Sequence, residues 1–162
     1  MFSIRPLQPE EAGFLESMLY EAIFTPPGTE KPPYSIIQHP DLEKYYSDWG
    51  KDNLDIAVVA VKSNELAGAA WGRKFSYQNK AYGFVNEETP ELSMAVKEAF
   101  RNRGIGSALL KSLLNEYRKR GVASVSLSVD KKNPAIHLYE RFGFRVIEDK
   151  ANPTMILSLS QS

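Results

Sequence analysis

The stretch from Leu92 to Val129 constrains the fold more than any other part of the chain. Leu92 to Val96 is a short apolar strand pattern, and Arg101-Asn102-Arg103-Gly104-Ile105-Gly106 follows it as a glycine turn. Arg103 to Arg120 then reads as a long helix. Ile105, Leu109 and Leu113 recur at steps of four, with Ala108, Leu110, Leu114 and Tyr117 beside them. Gly121 ends it after Arg118-Lys119-Arg120, a basic last turn that complements the helix dipole. Val125, Leu127 and Val129 alternate with Ser124, Ser126 and Ser128, the period of a strand. Strand, helix and strand in this order form a crossover within one sheet.

The flanking segments make that sheet mixed. Phe2 to Leu7 reads as a first strand, and a helix starts at Pro9-Glu10-Glu11, with an apolar face at Phe14, Leu15, Met18, Leu19, Ala22 and Ile23. Thr25-Pro26-Pro27-Gly28-Thr29 and Lys31-Pro32-Pro33 break it. A second helix is expected from Asp41, as N-cap, to Trp49. Ile56 to Val61 is apolar without alternation, as in a strand covered on both faces, and Leu66 to Phe75 is its hairpin partner. Tyr77 to Val85 is an aromatic segment that can extend the sheet. A helix over Pro134 to Phe142 and strands over Phe144 to Ile147 and Thr154 to Leu159 complete the chain. This order predicts an α/β (α+β) fold, a mixed sheet with helices on its faces. The 162 residues are expected to form one domain, residues 1–162.

Composition narrows the function. There is no cysteine, so disulfides, thiolate zinc sites and cysteine nucleophiles are excluded. The two histidines, His39 and His137, argue against a histidine-rich metal site, and no metal is expected. No run reaches the ~18 apolar residues of a membrane helix, and the start of the chain lacks a secretory pattern, so a cytoplasmic location without membrane contact is expected. Lys and Arg number 20, as do Asp and Glu, which argues against a nucleic-acid partner. The neutrality hides a division: residues 1–90 hold 8 basic and 13 acidic groups, residues 91–162 hold 12 and 7.

The glycine turn suits a phosphate group. Glycines let a ligand approach the backbone, the helix start offers free N–H groups and partial positive charge, and Arg101 and Arg103 add whole charges. The competing reading is a tight turn with two exposed arginines. A P-loop needs Gly-Lys-Ser/Thr, which is absent, and a dinucleotide fingerprint needs glycine where Leu109 stands. A second element, Asn133-Pro134-Ala135-Ile136-His137-Leu138-Tyr139-Glu140-Arg141-Phe142-Gly143-Phe144, reads by itself as a helix capped by Asn133 with Pro134 at its first position.

Together these two elements resemble the GCN5-related N-acetyltransferase (GNAT) superfamily. Its acyl-CoA loop, Arg/Gln-x-x-Gly-x-Gly/Ala, is matched by Arg101, Gly104 and Gly106. Its later helix, Asn-x-Ala-x-x-Leu-Tyr-Glu-x-x-Gly-Phe, is matched by Asn133, Ala135, Leu138, Tyr139, Glu140, Gly143 and Phe144. The matching motifs cover residues 91–147. The resemblance implies a mostly antiparallel sheet of about seven strands flanked by helices, and acetyl-CoA as cosubstrate. It implies N-acetyl transfer to a primary amine by direct attack in a ternary complex. Met94, Ala95 and Val96 would offer backbone groups to the pantetheine arm, with the Val96 N–H on the thioester carbonyl. The amides of Asn102, Arg103, Gly104, Ile105, Gly106 and Ser107 would hold the pyrophosphate, and Asn133 would contact the cofactor arm. Tyr139 would protonate the departing thiolate. Glu91 is the first candidate for the base and Glu88 the second; the competing reading for both is a solvated acidic turn. A homodimer is implied at the level of the family alone.

The acceptor would lie among the first helices and nearby strand ends, where aromatics with scattered carboxylates suit a cation. The surplus acid of residues 1–90 is therefore expected to face the amine, opposite the basic half that meets the polyanionic cofactor. Two other classes stay open at this point: a non-catalytic acyl-CoA-binding or sensor module, and an RNA- or protein-interaction domain using the basic half.

Overall fold

Ile56 to Ala60 are all buried, so both faces of the sheet need a covering layer at this strand. The computed structural model describes residues 1–160, with four α-helices, seven strands and three short 3-10 turns (Pro9–Glu11, Tyr34–Gln38 and Glu98–Phe100). In chain order the helices and strands are β1 (Ser3–Pro6), α1 (Gly13–Ala22), α2 (Pro40–Glu43), β2 (Ile56–Lys62), β3 (Glu65–Arg73), β4 (Glu91–Val96), α3 (Ile105–Lys119), β5 (Ser124–Ser128), α4 (Ala135–Arg141), β6 (Arg145–Glu148) and β7 (Thr154–Ser158). The sheet order is β1-β2-β3-β4-β5-β7-β6. Every neighbouring pair is antiparallel except β4 and β5, which the α3 crossover makes parallel.

Two cores lie on opposite faces. On one, α3 buries Ile105, Leu109, Leu110, Leu113, Leu114 and Tyr117 against Val58, Leu92, Val125 and Met155. Each such side chain contributes roughly 2 kcal/mol, far more than a 15-residue helix draws from propensity, so packing fixes where α3 starts. On the other face, Leu15, Met18 and Leu19 of α1 meet Ile37, Tyr45 and Trp71. The parity of β4 divides its side chains between them: Leu92, Met94 and Val96 pack with the α3 core, and Ala95 with the α1 core.

Two expected elements differ. The helix over Asp41 to Trp49 is only four residues long and starts at Pro40, with His39 as its cap: the ring Nδ1 accepts the Asp41 N–H at 3.1 Å. It stops because the next carbonyls turn to a side chain. The Arg73 guanidinium takes the carbonyl oxygens of Lys44 at 2.9 Å and Ser47 at 2.7 Å. The same guanidinium grips the Asp55 carboxylate at 3.2 and 2.7 Å and lies over the Trp49 ring. Tyr77 to Val85 is not a strand. It is a looped segment with one isolated bridge, Ser76 to Asn79, because its inner polar groups go to side chains instead of a ladder.

The Asp55 side chain is almost wholly buried, so its pairing is not replaceable by water. Arg73→Met is expected to lower stability by about 3–5 kcal/mol in urea denaturation, since it strands that carboxylate. Arg73→Met combined with Asp55→Leu should recover part of the loss; equal stability of Arg73→Met and the unaltered protein contradicts this role.

Candidate active site

Strands β4 and β5 share a single paired position, Glu91 with Ser126, where the Ser126 N–H donates to the Pro90 carbonyl at 2.9 Å. Past it, β4 stays with β3 up to Val96 while β5 follows β7. The opening is a cavity of about 880 Å³, walled by both strands, the α3 start, α4 and the loop after α1.

The hydrogen-bond parity of β4 decides what it offers there. The Lys97 N–H donates to the Ala67 carbonyl, so the odd positions of the strand turn their backbone groups toward β3. Leu92, Met94 and Val96 turn theirs toward β5. Only the first of these has β5 beside it, so the Met94 and Val96 N–H groups open into the cavity. The Val96 carbonyl is taken by the Arg101 Nε–H at 2.9 Å.

The glycine turn has the form its residues imply. Asn102 and Gly104 both have positive φ, 63° and 80°, and Gly104 precedes the first residue of α3. A Cβ on Gly104 would meet nothing within 4 Å, so this glycine serves backbone conformation and access. The Ala108 N–H is the first to bond back, to the Gly104 carbonyl. Those from Asn102 to Ser107 have no backbone acceptor among the described residues. They form an anion cradle at the positive end of a 15-residue helix. Pro134 stands at the cap position of α4, and Asn133 before it closes the turn into the helix, its side-chain oxygen accepting the Ala135 N–H at 2.9 Å. Of the residues singled out from the sequence, Met94, Ala95, Val96, Arg101, Asn102, Gly104, Ile105, Gly106, Asn133, Tyr139 and Glu91 all line this one cavity; Arg103 and Ser107 stand outside its wall. Glu88 is exposed on the loop before β4 and does not reach it.

Tyr139 and Glu91 approach the gap from opposite faces. Tyr139 belongs to the α3 core, edge-on to Phe144 at 5.8 Å, and its hydroxyl has no hydrogen-bond partner among the described residues. Burial pushes its pKa up to about 12, so it stays a neutral donor. Glu91 is on the α1 side and only 2% exposed. Its Oε2 accepts the Tyr45 hydroxyl at 2.5 Å and its Oε1 the Gly83 N–H at 3.0 Å. No cation lies within 4 Å of it among the described residues, and burial raises its pKa to about 7. The reading of Glu91 as a solvated turn is thus corrected: it is a buried acid with a pKa suited to proton transfer at neutral pH.

Several contributors had no legible signal. Gly83 backs onto β5 so closely that a Cβ would stand 2.7 Å from the Leu127 carbonyl carbon; its own carbonyl accepts the Ser126 hydroxyl at 2.7 Å. Tyr45 meets Glu91 across 46 positions of sequence. Glu21, on α1, lies 3.5 Å from Arg101 and 3.7 Å from Lys31, which ties the Pro-rich loop to the glycine turn. The charge division does not carry through. Of the acidic residues in 1–90, only Glu21 lines the cavity, and others are spent in ion pairs such as Glu11 with Arg5 and Asp55 with Arg73.

The chain is similar to known proteins. The family model described as "Acetyltransferase (GNAT) family" matches residues 18–144. Mycothiol acetyltransferase of Corynebacterium glutamicum is 31% identical over 107 residues, covering 63% of this chain and 32% of that protein. The [ribosomal protein bS18]-alanine N-acetyltransferase of Escherichia coli is 43% identical over 61 residues, covering 37% of this chain and 41% of that one. The chain thus spans less than half the length of these curated relatives. Among solved structures, PaiA N-acetyltransferase from Thermoplasma acidophilum in complex with coenzyme A has a TM-score of 0.67 at 19% identity, covering 98% of this chain and 99% of that one. The glycine turn at a helix start, the opening between β4 and β5 and the match over most of the sequence lead to one conclusion: the chain belongs to the GNAT acetyltransferase family.

Proposed function

We propose that this chain is an N-acetyltransferase that moves an acetyl group from acetyl-CoA to a primary amine by direct attack while both are bound. The observation that carries this reading is the opening of β4 from β5. It leaves the Met94 and Val96 N–H groups free in a cavity with a neutral hydroxyl on one face and a buried carboxylate on the other. The relatives' names include an alanine N-acetyltransferase, which supports a small amine, an amino-acid-like molecule or a peptide N-terminus as acceptor. We place the reaction in the cytoplasm; no helix among the described residues is long and apolar enough to cross a membrane.

The residues present fit the cosubstrate. The amides from Asn102 to Ser107 bind the pyrophosphate, with Arg101 at the cavity wall and Arg103 as a more distant charge. Arg101 remains about half exposed, so it adds charge while its Nε–H fixes the end of β4. Met94, Ala95 and Val96 line the arm, and Asn133 flanks it from the start of α4. Acetyl-CoA supplies an activated thioester. The Val96 N–H donates to the thioester oxygen as negative charge grows there. Holding the amine beside it replaces a bimolecular encounter with an oriented one.

Glu91 receives the proton that the amine must lose. Tyr139 gives its proton to the sulfur as the carbon–sulfur bond breaks. Its pKa of about 12 makes it a weak acid in isolation, but the same dry surroundings raise the pKa of the thiol that forms, so the transfer follows the developing charge.

The first experiment is a panel of polyamines, amino acids and alanine-initiated peptides with acetyl-CoA, read by release of free CoA. Turnover of at least one amine is expected. Binding of acetyl-CoA without any turnover would favour the non-catalytic sensor, and absence of binding would reject both. Tyr139→Phe is expected to lower kcat about a hundredfold with little change in acetyl-CoA affinity by calorimetry; an unchanged kcat contradicts the acid role.

Glu91 makes opposite predictions for activity and stability. A base works only when unprotonated, so turnover should fall as pH drops below about 7. Glu91→Gln should remove this limb and about a hundredfold or more of the rate. For stability, the folded pKa of about 7 lies above the ordinary 4.5. Its contribution is therefore fully present below pH 4.5 and lost as pH rises through 7, by a few kcal/mol. Glu91→Gln is thus expected to melt higher than the unaltered protein at pH 8. A lower melting temperature there contradicts the burial argument.

A further inference from the structure

Glu91 is a difficult group for a substrate to reach. It is 2% exposed, one carboxylate oxygen is held by the Gly83 N–H and the other by the Tyr45 hydroxyl. Tyr45 has a different bonding inventory. A phenol oxygen has one hydrogen to donate and two lone pairs. Its hydrogen goes to Glu91, one lone pair accepts the Tyr82 N–H at 3.0 Å, and the second has no partner among the described residues. Tyr45, Tyr82 and Glu91 all line the cavity, on the face opposite the Tyr139 core.

The phenol is also held in place. The Tyr45 carbonyl accepts the Trp71 indole N–H at 3.0 Å, and its ring packs edge-on to Phe75 with centroids 5.3 Å apart. Arg73 fixes the turn that carries it through the Lys44 and Ser47 carbonyls. A rigid donor with one open lone pair, already hydrogen-bonded to a buried carboxylate, is the arrangement of a proton relay.

We infer that the Tyr45 hydroxyl, and not the Glu91 carboxylate, meets the acceptor nitrogen and relays its proton to Glu91. This rests on Glu91 being the final proton acceptor. In the step, a nitrogen–hydrogen bond of the ammonium breaks and its proton bonds to the Tyr45 oxygen. The hydrogen already on that oxygen passes to Glu91 Oε2. Tyr45 ends as a neutral phenol and Glu91 as a neutral acid. The nitrogen keeps its electron pair for attack on the thioester carbon. Tyr45 is not itself the sink, because burial and the adjacent Glu91 charge hold its pKa above that of an ordinary phenol. Tyr45 is the titratable group bonded to Glu91 among the described residues; Lys44 and Lys150 are the charges that act on Glu91 from further away.

The test is a proton inventory: kcat/KM in mixtures of light and heavy water, above pH 8, with acetyl-CoA and the best amine from the panel. All proteins compared carry Tyr139→Phe, so that the proton delivered to sulfur drops out of the count, and unaltered here means unaltered at positions 45 and 91. Two protons in flight from the amine then give a curved dependence on the deuterium fraction, one gives a straight line. The unaltered protein is expected to give a curve. Tyr45→Phe is expected to lose about a hundredfold in rate, to keep acetyl-CoA binding and to give a straight line. A merely structural tyrosine would leave the curvature in place. Should Tyr45→Phe fail to fold, 3-fluorotyrosine at position 45 keeps the hydroxyl and the packing; curvature with an altered rate supports the relay. A straight line for the unaltered protein overturns it. Tyr45→Phe at full rate beside an impaired Glu91→Gln overturns the relay alone. Glu91→Gln at full rate overturns the role of Glu91 and the relay with it.

Discussion

The site depends on one pairing: Glu91 with Ser126 is the single position at which β4 and β5 meet. An unbroken parallel ladder would consume the Met94 and Val96 N–H groups and close the cavity. No pairing at all would release β5 from the sheet that β1 to β4 build. The pairing is reinforced from the side by Gly83, which takes the Ser126 hydroxyl on its carbonyl and gives its N–H to Glu91. The residue that forms the last rung between the strands is therefore also the buried acid of the site. The strand pairing and the placement of the buried carboxyl are fixed by the same few atoms.

That economy has an energetic cost, and the fold shows where it is carried. A carboxyl with no cation beside it is held by a hydroxyl and one amide, so its charged form is disfavoured. The supporting residues are anchored well away from it. Arg73 organises the segment from Lys44 to Asp55 through three carbonyls and one carboxylate, and Trp71 ties down Tyr45. The α3 face is simpler. Six buried apolar side chains set the helix, and its free N-terminal amides follow from helix geometry alone.

Legibility divided along the same line. The α3 face was readable because its signals are local. Periodicity marks the helix, two glycines mark its entry, and Asn133 with Tyr139 recurs in register a fixed distance on. The other face was not, because its contacts are long-range. Tyr45 lies 46 positions from Glu91, and nothing near Tyr45 marks it apart from Tyr46 or Tyr34. The end of the short helix is not legible, because its propensity is ordinary while its stop is set by Arg73, some 30 residues later. Tyr77 to Val85 has strand composition, but its inner amides bond to Tyr45 and Glu91 instead of a neighbouring strand. The charge division between halves misled because a sum over sequence does not say which carboxylates are paired.

Residue-resolved amide hydrogen exchange, with and without acetyl-CoA, tests the central claim most directly. Met94 and Val96 are expected to exchange fast in the free protein, while Ala95, bonded to β3, exchanges slowly. On adding acetyl-CoA, the Met94 and Val96 amides should become protected along with those from Asn102 to Ser107. Protection of the glycine turn with Met94 and Val96 left unchanged would contradict the claim that the opening between β4 and β5 receives the acyl arm.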